Sequence, residues 1–304
     1  YIASLSSQQS RRTMSIALRK VTAIIVGRDL ADVTEADMLS LDWSQLRYQH
    51  TAAIRARLAE DASSPSTANK ALAALRGVLK QAWRLGLMDA NAYRRAADIS
   101  DIKAEALPAG RELTAGEIVA LVDACKRDTS PAGVRDAAIL GLMYVCGLRR
   151  SELVALHVGD YLSEQRRILV KQAKGRRLRQ VYISGGAQHA LDDWLTALRT
   201  HGIEDDNAAL FLPINKSGKL NPGKNISAQA IYDMLRKRAK QANVSSFSPH
   251  DLRRTFVGDL LDRGVDIGTV AKMAGHKAIV TTQRYDRRPE RVKRDAADKL
   301  HFPY

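Results

Sequence analysis

Two imidazoles, a pair of guanidiniums and a phenol stand close together between Ser248 and Tyr285. The stretch opens Ser248-Pro249-His250-Asp251-Leu252-Arg253-Arg254-Thr255. That order reads as a helix start, with Ser248 as N-cap, Pro249 as first helical residue and Asp251 as the acid three positions on. His250 and Arg253 then project from one face near the positively polarised helix N-terminus, a placement that suits an anion. Phe256, Val257, Leu260 and Leu261 continue at core-facing spacing up to Gly264, which stops the helix. A second short helix, capped by Asp266 and carrying Ile267, Val270, Ala271 and Met273, should end at Gly275. His276 follows at once, and a polar step through Thr281 and Thr282 leads to Tyr285.

In this order and at this spacing the segment resembles the tyrosine recombinase, or phage integrase, family. The matching text is His250-Asp251-Leu252-Arg253-Arg254-Thr255-Phe256, then Ala274-Gly275-His276, then Thr281-Thr282-Gln283-Arg284-Tyr285, with nine residues from His276 to Tyr285. The resemblance requires a further arginine and a lysine upstream. Gly147-Leu148-Arg149-Arg150-Ser151-Glu152-Leu153 matches the arginine motif, and Arg149 is preferred to Arg150 because it directly follows the Gly-Leu pair. The lysine is expected at a hairpin tip, Ala173-Lys174-Gly175-Arg176-Arg177, where Lys174-Gly175 fits.

The catalytic set implied by the resemblance is Arg149, Lys174, His250, Arg253, His276 and Tyr285. Its chemistry is physically sensible. Permanently charged, forked guanidiniums suit the non-bridging oxygens of a phosphodiester and the charge that develops on them in a pentacoordinate transition state. Imidazoles can donate to the same oxygens or take the phenol's proton, and a lysine can protonate the departing 5′ oxygen. A free phenol has a pKa of about 10, so it needs both cations and a base to attack. With so many cations, no metal and no cofactor are expected. Of the nine tyrosines, Tyr144 and Tyr182 read as core packing in a helix and a strand, and Tyr304 closes the chain. Only Tyr285 follows His276 at the family distance.

Composition agrees with a polyanionic partner. The formal charge is +15 and the pI about 10.0. Residues 1–102 carry 14 basic and 10 acidic side chains, and residues 103–304 carry 34 and 23. Double-stranded DNA fits better than a membrane, since the longest nearly apolar run, Ala137 to Cys146, is too short to span a bilayer. No secretory signal is visible, so a cytoplasmic, nucleoid-associated protein is expected. Cys125 and Cys146 lack metal-ligand spacing and read as buried free thiols.

The elements that must position these residues read as mainly α with a small antiparallel β-hairpin. Residues 1–102 should form a helical bundle, residues 103–111 a linker, and residues 112–304 a second domain with a C-terminal helix and tail; the resemblance implies that the bundle clamps DNA and that the second domain is catalytic. In the first part helices are expected from about Gln9 to Ile25, from Thr34 towards Trp43, over Gln45 to Ala59, and from Ala68 to Leu85 behind Ser66 or Thr67. In the last of these, Arg76, Lys80 and Arg84 form a row suited to phosphate contacts. In the second part Thr114 should cap a helix, and another should run from Gly133 to Cys146. Strands are expected over Arg167 to Gln172 and Leu178 to Ile183, with Lys174, Arg176 and Arg177 at the tip facing DNA. Ser227 should cap a helix through Ala242, with Ile231, Met234, Leu235 and Ala239 inward and Arg236, Lys237, Arg238 and Lys240 outward on DNA.

The resemblance implies site-specific recombination: strands cut and rejoined between two recognition sites through a 3′-phosphotyrosyl intermediate. It also implies a homo-oligomer, a tetramer on two sites, with the C-terminal tail docking on a neighbour. The alternatives are a type IB topoisomerase-like relaxing enzyme and a non-catalytic DNA-binding protein. A metal-dependent transposase would need a carboxylate cluster, and the acids here have no recognisable spacing of that kind.

Overall fold

Ser7, Thr34, Ser64, Asp89, Thr114, Ser227 and Asp266 each start a helix by accepting from an otherwise orphaned N–H, a cap worth about 1 kcal/mol. The computed structural model describes residues 1–60, 64–103, 110–171, 178–215, 217–276, 278–283 and 285. The chain separates into two compact units, Tyr1–Leu107 and Pro108–Tyr304.

In the first unit, α1 (Gln8–Val26) starts at Ser7, whose hydroxyl accepts from the Ser10 N–H. The Thr34/Asp37 capping box opens α2 (Glu35–Ser40). Then come α3 (Tyr48–Glu60), α4 (Pro65–Arg84) and α5 (Ala90–Ala97). The cap of α4 is Ser64, with Pro65 in the first turn, earlier than Ser66 or Thr67. A proline cannot donate to the ladder, so the first helical turn is where it costs least. Leu72, Leu75 and Leu79 of α4 are fully buried against Val21, Ile54 and Leu58. Each such leucine contributes on the order of 2 kcal/mol. Lys80 and Arg84 are exposed, whereas Arg76 donates to the Ile99 carbonyl at 2.6 Å and pairs with Asp101 at 2.8 Å. Arg76 therefore ties α4 to the chain that follows α5.

In the second unit, the Thr114/Glu117 capping box opens α6 (Ala115–Lys126), and Pro131 opens α7 (Pro131–Val145). The apolar α7 packs against α6, α9 (Gly185–Thr200) and α11 (Pro249–Asp262), and its Ile139, Leu142 and Met143 sit at the centre of the core. Next come α8 (Arg150–Val154) and a three-stranded antiparallel sheet, β1 (Tyr161–Leu162), β2 (Arg167–Lys171) and β3 (Leu178–Tyr182). The two-residue β1 is too short to leave a periodic trace in the sequence. Tyr182 is 63% exposed, so core packing does not explain it; it lies on the outward phase of β3, opposite Val181. The tip with Lys174, Arg176 and Arg177 lies outside the described residues, as do positions 104–109 of the expected linker and the C-terminal segment 286–304.

The rest of this unit is α9 (Gly185–Thr200), α10 (Ala228–Gln241), α11 (Pro249–Asp262), α12 (Ile267–Ala274) and α13 (Ile279–Gln283). Cys125 and Cys146 are free and buried, and burial pushes both thiols up to about 12. Among the described residues no helix is long and apolar enough to cross a membrane.

One expectation on α10 is corrected. Arg236, Lys237 and Lys240 are exposed, but Arg238 is fully buried. Its guanidinium pairs with Asp128 at 2.7 Å and Asp136 at 2.7 Å, and it also donates to the side chain of Gln241. Arg238 lies seven residues after Ile231, on the same helical face, so it points inward and cannot contact DNA.

Candidate active site

Three elements deliver their functional groups to one place. Helix α11 begins at Ser248, whose backbone N–H and hydroxyl both donate to the Asp251 carboxylate, and this fixes the first turn that carries His250 and Arg253. Helix α12 ends at Gly275 in the left-handed conformation, with φ of 65°, which turns the chain sharply into His276. Gly147, with φ of 56°, lies so close to Phe256 that a Cβ there would collide with the ring. The tight turn places Arg149 at the cap of α8.

The arginines are held by backbone carbonyls and one carboxylate. Arg253, 4% exposed, donates one N–H to the Gly147 carbonyl and another to the Ala274 carbonyl. Arg149 donates to the Gly275 carbonyl at 3.0 Å and to Glu152 Oε1 at 2.7 Å. Glu152 Oε2 in turn accepts the Arg149 backbone N–H at 2.9 Å. Burial tends to raise the Glu152 carboxyl, but Arg179, the Arg149 backbone N–H and the Arg149 guanidinium together hold it below its usual range. Arg253 is drawn down to about 10, first by burial and then by the neighbouring Arg149 charge.

The phenol of Tyr285 lies against this cationic floor. Its hydroxyl is 2.7 Å from His250 Nε2, and its ring stacks on His276 with centroids 6.1 Å apart. The Arg254 guanidinium sits 5.6 Å from the centre of the same ring, a cation–π arrangement. His276 Nδ1 is 2.7 Å from the Thr282 hydroxyl, which fixes the imidazole plane. Burial lowers His250, helped by the charges of Arg254 and Arg253. His276 falls to about 4 for the same first reason, with Arg253 and Arg149 adding to it. Both imidazoles are therefore neutral near pH 7.

Five of the six residues in the expected catalytic set thus gather in one site, while Lys174 lies outside the described residues. Two contributors were not among the expected site residues. Arg179 on β3 reaches into the site and pairs with Glu152 Oε2 at 2.7 Å. Arg254 belongs to the quoted text, but nothing in its spacing singled it out from Arg253. The DNA-facing expectations are scattered: Arg236, Lys237 and Lys240 on α10, Lys80 and Arg84 on α4. Among the described residues no group of three His, Cys, Asp or Glu side chains could hold a metal ion.

The model of the phage integrase family matches residues 111–291. A protein named tyrosine recombinase XerC from Chromohalobacter salexigens is 30% identical over 302 residues, covering 99% of this chain and 94% of its own length. Another of that name, from Alcanivorax borkumensis, is 30% identical over 258 residues, or 84% and 80% of the two chains. The chain belongs to the phage integrase family. Among solved structures, XerH bound to a palindromic difH substrate in a post-cleavage complex has a TM-score of 0.68 at 18% identity, covering 96% of this chain and 80% of that one. A lambda integrase dimer bound to a core site has a TM-score of 0.62 at 15% identity, covering 99% and 95%. At these identities the structural likeness shows the fold.

Proposed function

We propose that Tyr285 is the nucleophile with which this chain cuts and rejoins DNA strands as a tyrosine-type site-specific recombinase. The observation that carries the reading is the 2.7 Å approach of the Tyr285 hydroxyl to His250 Nε2 within one chain, beside two arginines aimed at the same turn. Neutral His250 accepts the phenol proton as the oxygen attacks phosphorus. Arg149 and Arg253 hold the non-bridging oxygens of the phosphodiester, and His276, positioned by Thr282, donates to one of them. The bond from phosphorus to the 5′ oxygen breaks, and Lys174 supplies the proton that leaves with it. The product is a 3′-phosphotyrosyl ester, which conserves the bond energy, so a 5′-hydroxyl from a second strand can reverse the step without ATP.

The excess of basic residues in positions 103–304 supports double-stranded DNA as the partner, and a DNA substrate puts the enzyme with the nucleoid in the cytoplasm. Exchange between two sites cuts every strand that is joined again, so we assign one copy of the chain to each cut and a tetramer to each pair of sites. The apolar end of the sequence, Leu300 to Tyr304, is assigned to a neighbouring copy.

A nicked trapping substrate, which lets the cut fragment diffuse away, tests this. Wild-type protein should accumulate a covalent adduct, and Tyr285→Phe should form none while binding the site with unchanged affinity. An adduct that survives the substitution removes Tyr285 from the role. DNA bearing two copies of the site separates exchange from mere relaxation, since only a recombinase yields products joining the two.

A further inference from the structure

Arg179 lies on β3, two residues before the buried Val181, and the register sets it opposite Val170 of β2. Ile168, Val170 and Val181 are buried, so Arg179 extends from the apolar face of the sheet. A guanidinium on that face is costly where its donors go unused; Nη1 and Nη2 are used, and the buried Nε is without a partner among the described residues. One arm, Nη2, pairs with Glu152 Oε2 at 2.7 Å, and the other, Nη1, donates to the Met273 carbonyl at 2.6 Å. The side chain is 9% exposed. Its shaft passes directly under Gly275, where an added Cβ would stand 2.8 Å from Arg179 Nε.

These contacts meet at the points that aim the catalytic groups. Glu152 orients Arg149 through its other oxygen. Met273 immediately precedes Ala274 and Gly275, whose carbonyls receive Arg253 and Arg149, and His276 comes next. We propose that Arg179 is a positioning residue for strand cleavage: by bridging Glu152 and the end of α12 it holds Arg149, Arg253 and His276 in register without touching the DNA. The inference rests on the recombinase reading above and adds to it a residue with no motif.

A purely structural rivet would lower stability and leave the chemistry of the folded molecules alone. A positioning residue makes a different prediction. Misplacing reacting groups by about 1 Å costs roughly 100-fold in rate. The charged groups facing Glu152 are Arg149 from its own helix cap, Arg179 from β3 and Arg253 from α11. Without Arg179, the largest of the groups that offset burial at Glu152 is lost, and its carboxyl titrates at higher pH than in the intact site. Cleavage, which needs the ionised carboxylate to aim Arg149, then fails earlier on acidification.

The full-length chain with Arg179→Met, and separately with Arg179→Lys, would be compared with wild type by single-turnover cleavage of the nicked substrate across pH. Mobility shift and thermal unfolding would be run alongside. Expected for Arg179→Met are site affinity within about twofold, a cleavage rate down about 100-fold and an acid limb moved to higher pH. Because His250 and His276 also titrate nearby, Glu152→Gln in the Arg179→Met background identifies the group: it should give the low, acid-side rate at every pH, with no moved limb. Arg179→Lys keeps the charge but not the fork, and should recover part of the rate and most of the limb. If Arg179→Met does not fold, the lysine variant is read by the same measurements, with a smaller loss and a smaller shift. A folded variant that cleaves at the wild-type rate, or whose acid limb stays in place, overturns the inference. A wild-type adduct that Tyr285→Phe removes supports the recombinase reading whatever Arg179 does, so the two can fail separately.

Discussion

Arginine is buried in two regions of the second unit, and the regions treat it in opposite ways. On α10, Arg238 lies between Asp128 and Asp136, and Asp136 is shared with Arg135, which pairs with it at 2.7 Å. Two cations meet two carboxylates there, and although burial works against the Arg238 charge, Asp128 and Asp136 together raise its pKa. At the site, Glu152 pairs with Arg149 and Arg179, while Arg253 feels its charge but donates only to the Gly147 and Ala274 carbonyls. Arg253 goes the other way, down to about 10. A balanced cluster is complete in itself and serves the fold. An unbalanced one leaves positive charge held in place by backbone carbonyls, and an anion must supply the remainder.

The contrast can be broken by removing one cation from each region. Arg149→Ala should slow strand cleavage by about 100- to 1000-fold while changing the melting temperature little, because Arg149 is part of a cationic surplus and is 41% exposed. Single-turnover cleavage and thermal unfolding on the same preparation check this. Arg238→Met should do the reverse. It leaves Asp128 and Asp136 without their central partner, which costs about 3–5 kcal/mol and lowers the melting temperature by on the order of 10 °C. Cleavage per folded molecule should stay at the wild-type level. If Arg238→Met spared stability and cut the chemistry, the division between the two regions would be wrong.

How far each region could be read from the sequence follows from what their residues look like locally. The site was legible because the chemistry demands fixed types at fixed spacing: His250 and Arg253 one helical turn apart, Gly275 before His276, Arg149 after Gly147-Leu148. The cap that orients His250 and Arg253, Ser248 with Asp251, was legible for the same local reason. Arg238 was misread because it sits in a basic run, Arg236 to Lys240, whose net charge suggests an outward face. The helical period argued otherwise, since Ile231, Met234, Leu235 and Arg238 follow the three- and four-residue steps of a buried stripe. The signal for Arg179 was similar, a charged residue on the same strand phase as Val181. The partners of both arginines lie far off in the chain, Asp128 and Asp136 for one and Glu152 for the other, and only the fold brings them near. The two-residue β1 and the position of Ser64 at the head of α4 left no periodic trace at all.

Acidification sharpens the same comparison with a smaller effect. His276 is held down to about 4 by burial and by Arg253 and Arg149, so between that value and the ordinary imidazole range the unfolded chain binds a proton that the folded chain refuses. The folded, DNA-free protein should therefore lose stability as pH falls through this window. The Asp128 carboxyl is lowered as well, despite burial, through Ser130 and Arg238, so its contribution is present above the ordinary carboxylate range and is lost only below it. The balanced cluster should thus be indifferent to pH where the site is not. Melting temperature followed from pH 7 to pH 5 should fall by a few degrees more in wild type than in His276→Gln. Equal slopes would mean that neither burial nor the surplus charge holds His276 below the ordinary imidazole range. A phosphodiester bound beside the arginines offsets their charge and raises His276, so DNA binding should take up protons and tighten as pH falls through the same range.

The smallest expected effect is on DNA affinity, and it separates neighbours on a single helix. Lys237 and Lys240 are exposed on α10, and Arg238 between them is fully buried. A lysine that neutralises a phosphate releases condensed counterions, so its loss lowers the salt dependence of binding by about 0.9 in slope. Lys237→Ala and Lys240→Ala should each reduce the slope by about that amount and weaken binding similarly on any sequence, because phosphate contacts carry no base information. Arg238→Met, measured at a temperature where it is folded, should leave the slope unchanged although it removes the same formal charge. If all three substitutions shifted the slope alike, affinity would follow net charge and the direction of the side chains would not matter. If Arg238 alone is silent, the periodicity of α10 has sorted three adjacent cations into two that meet DNA and one that holds the fold.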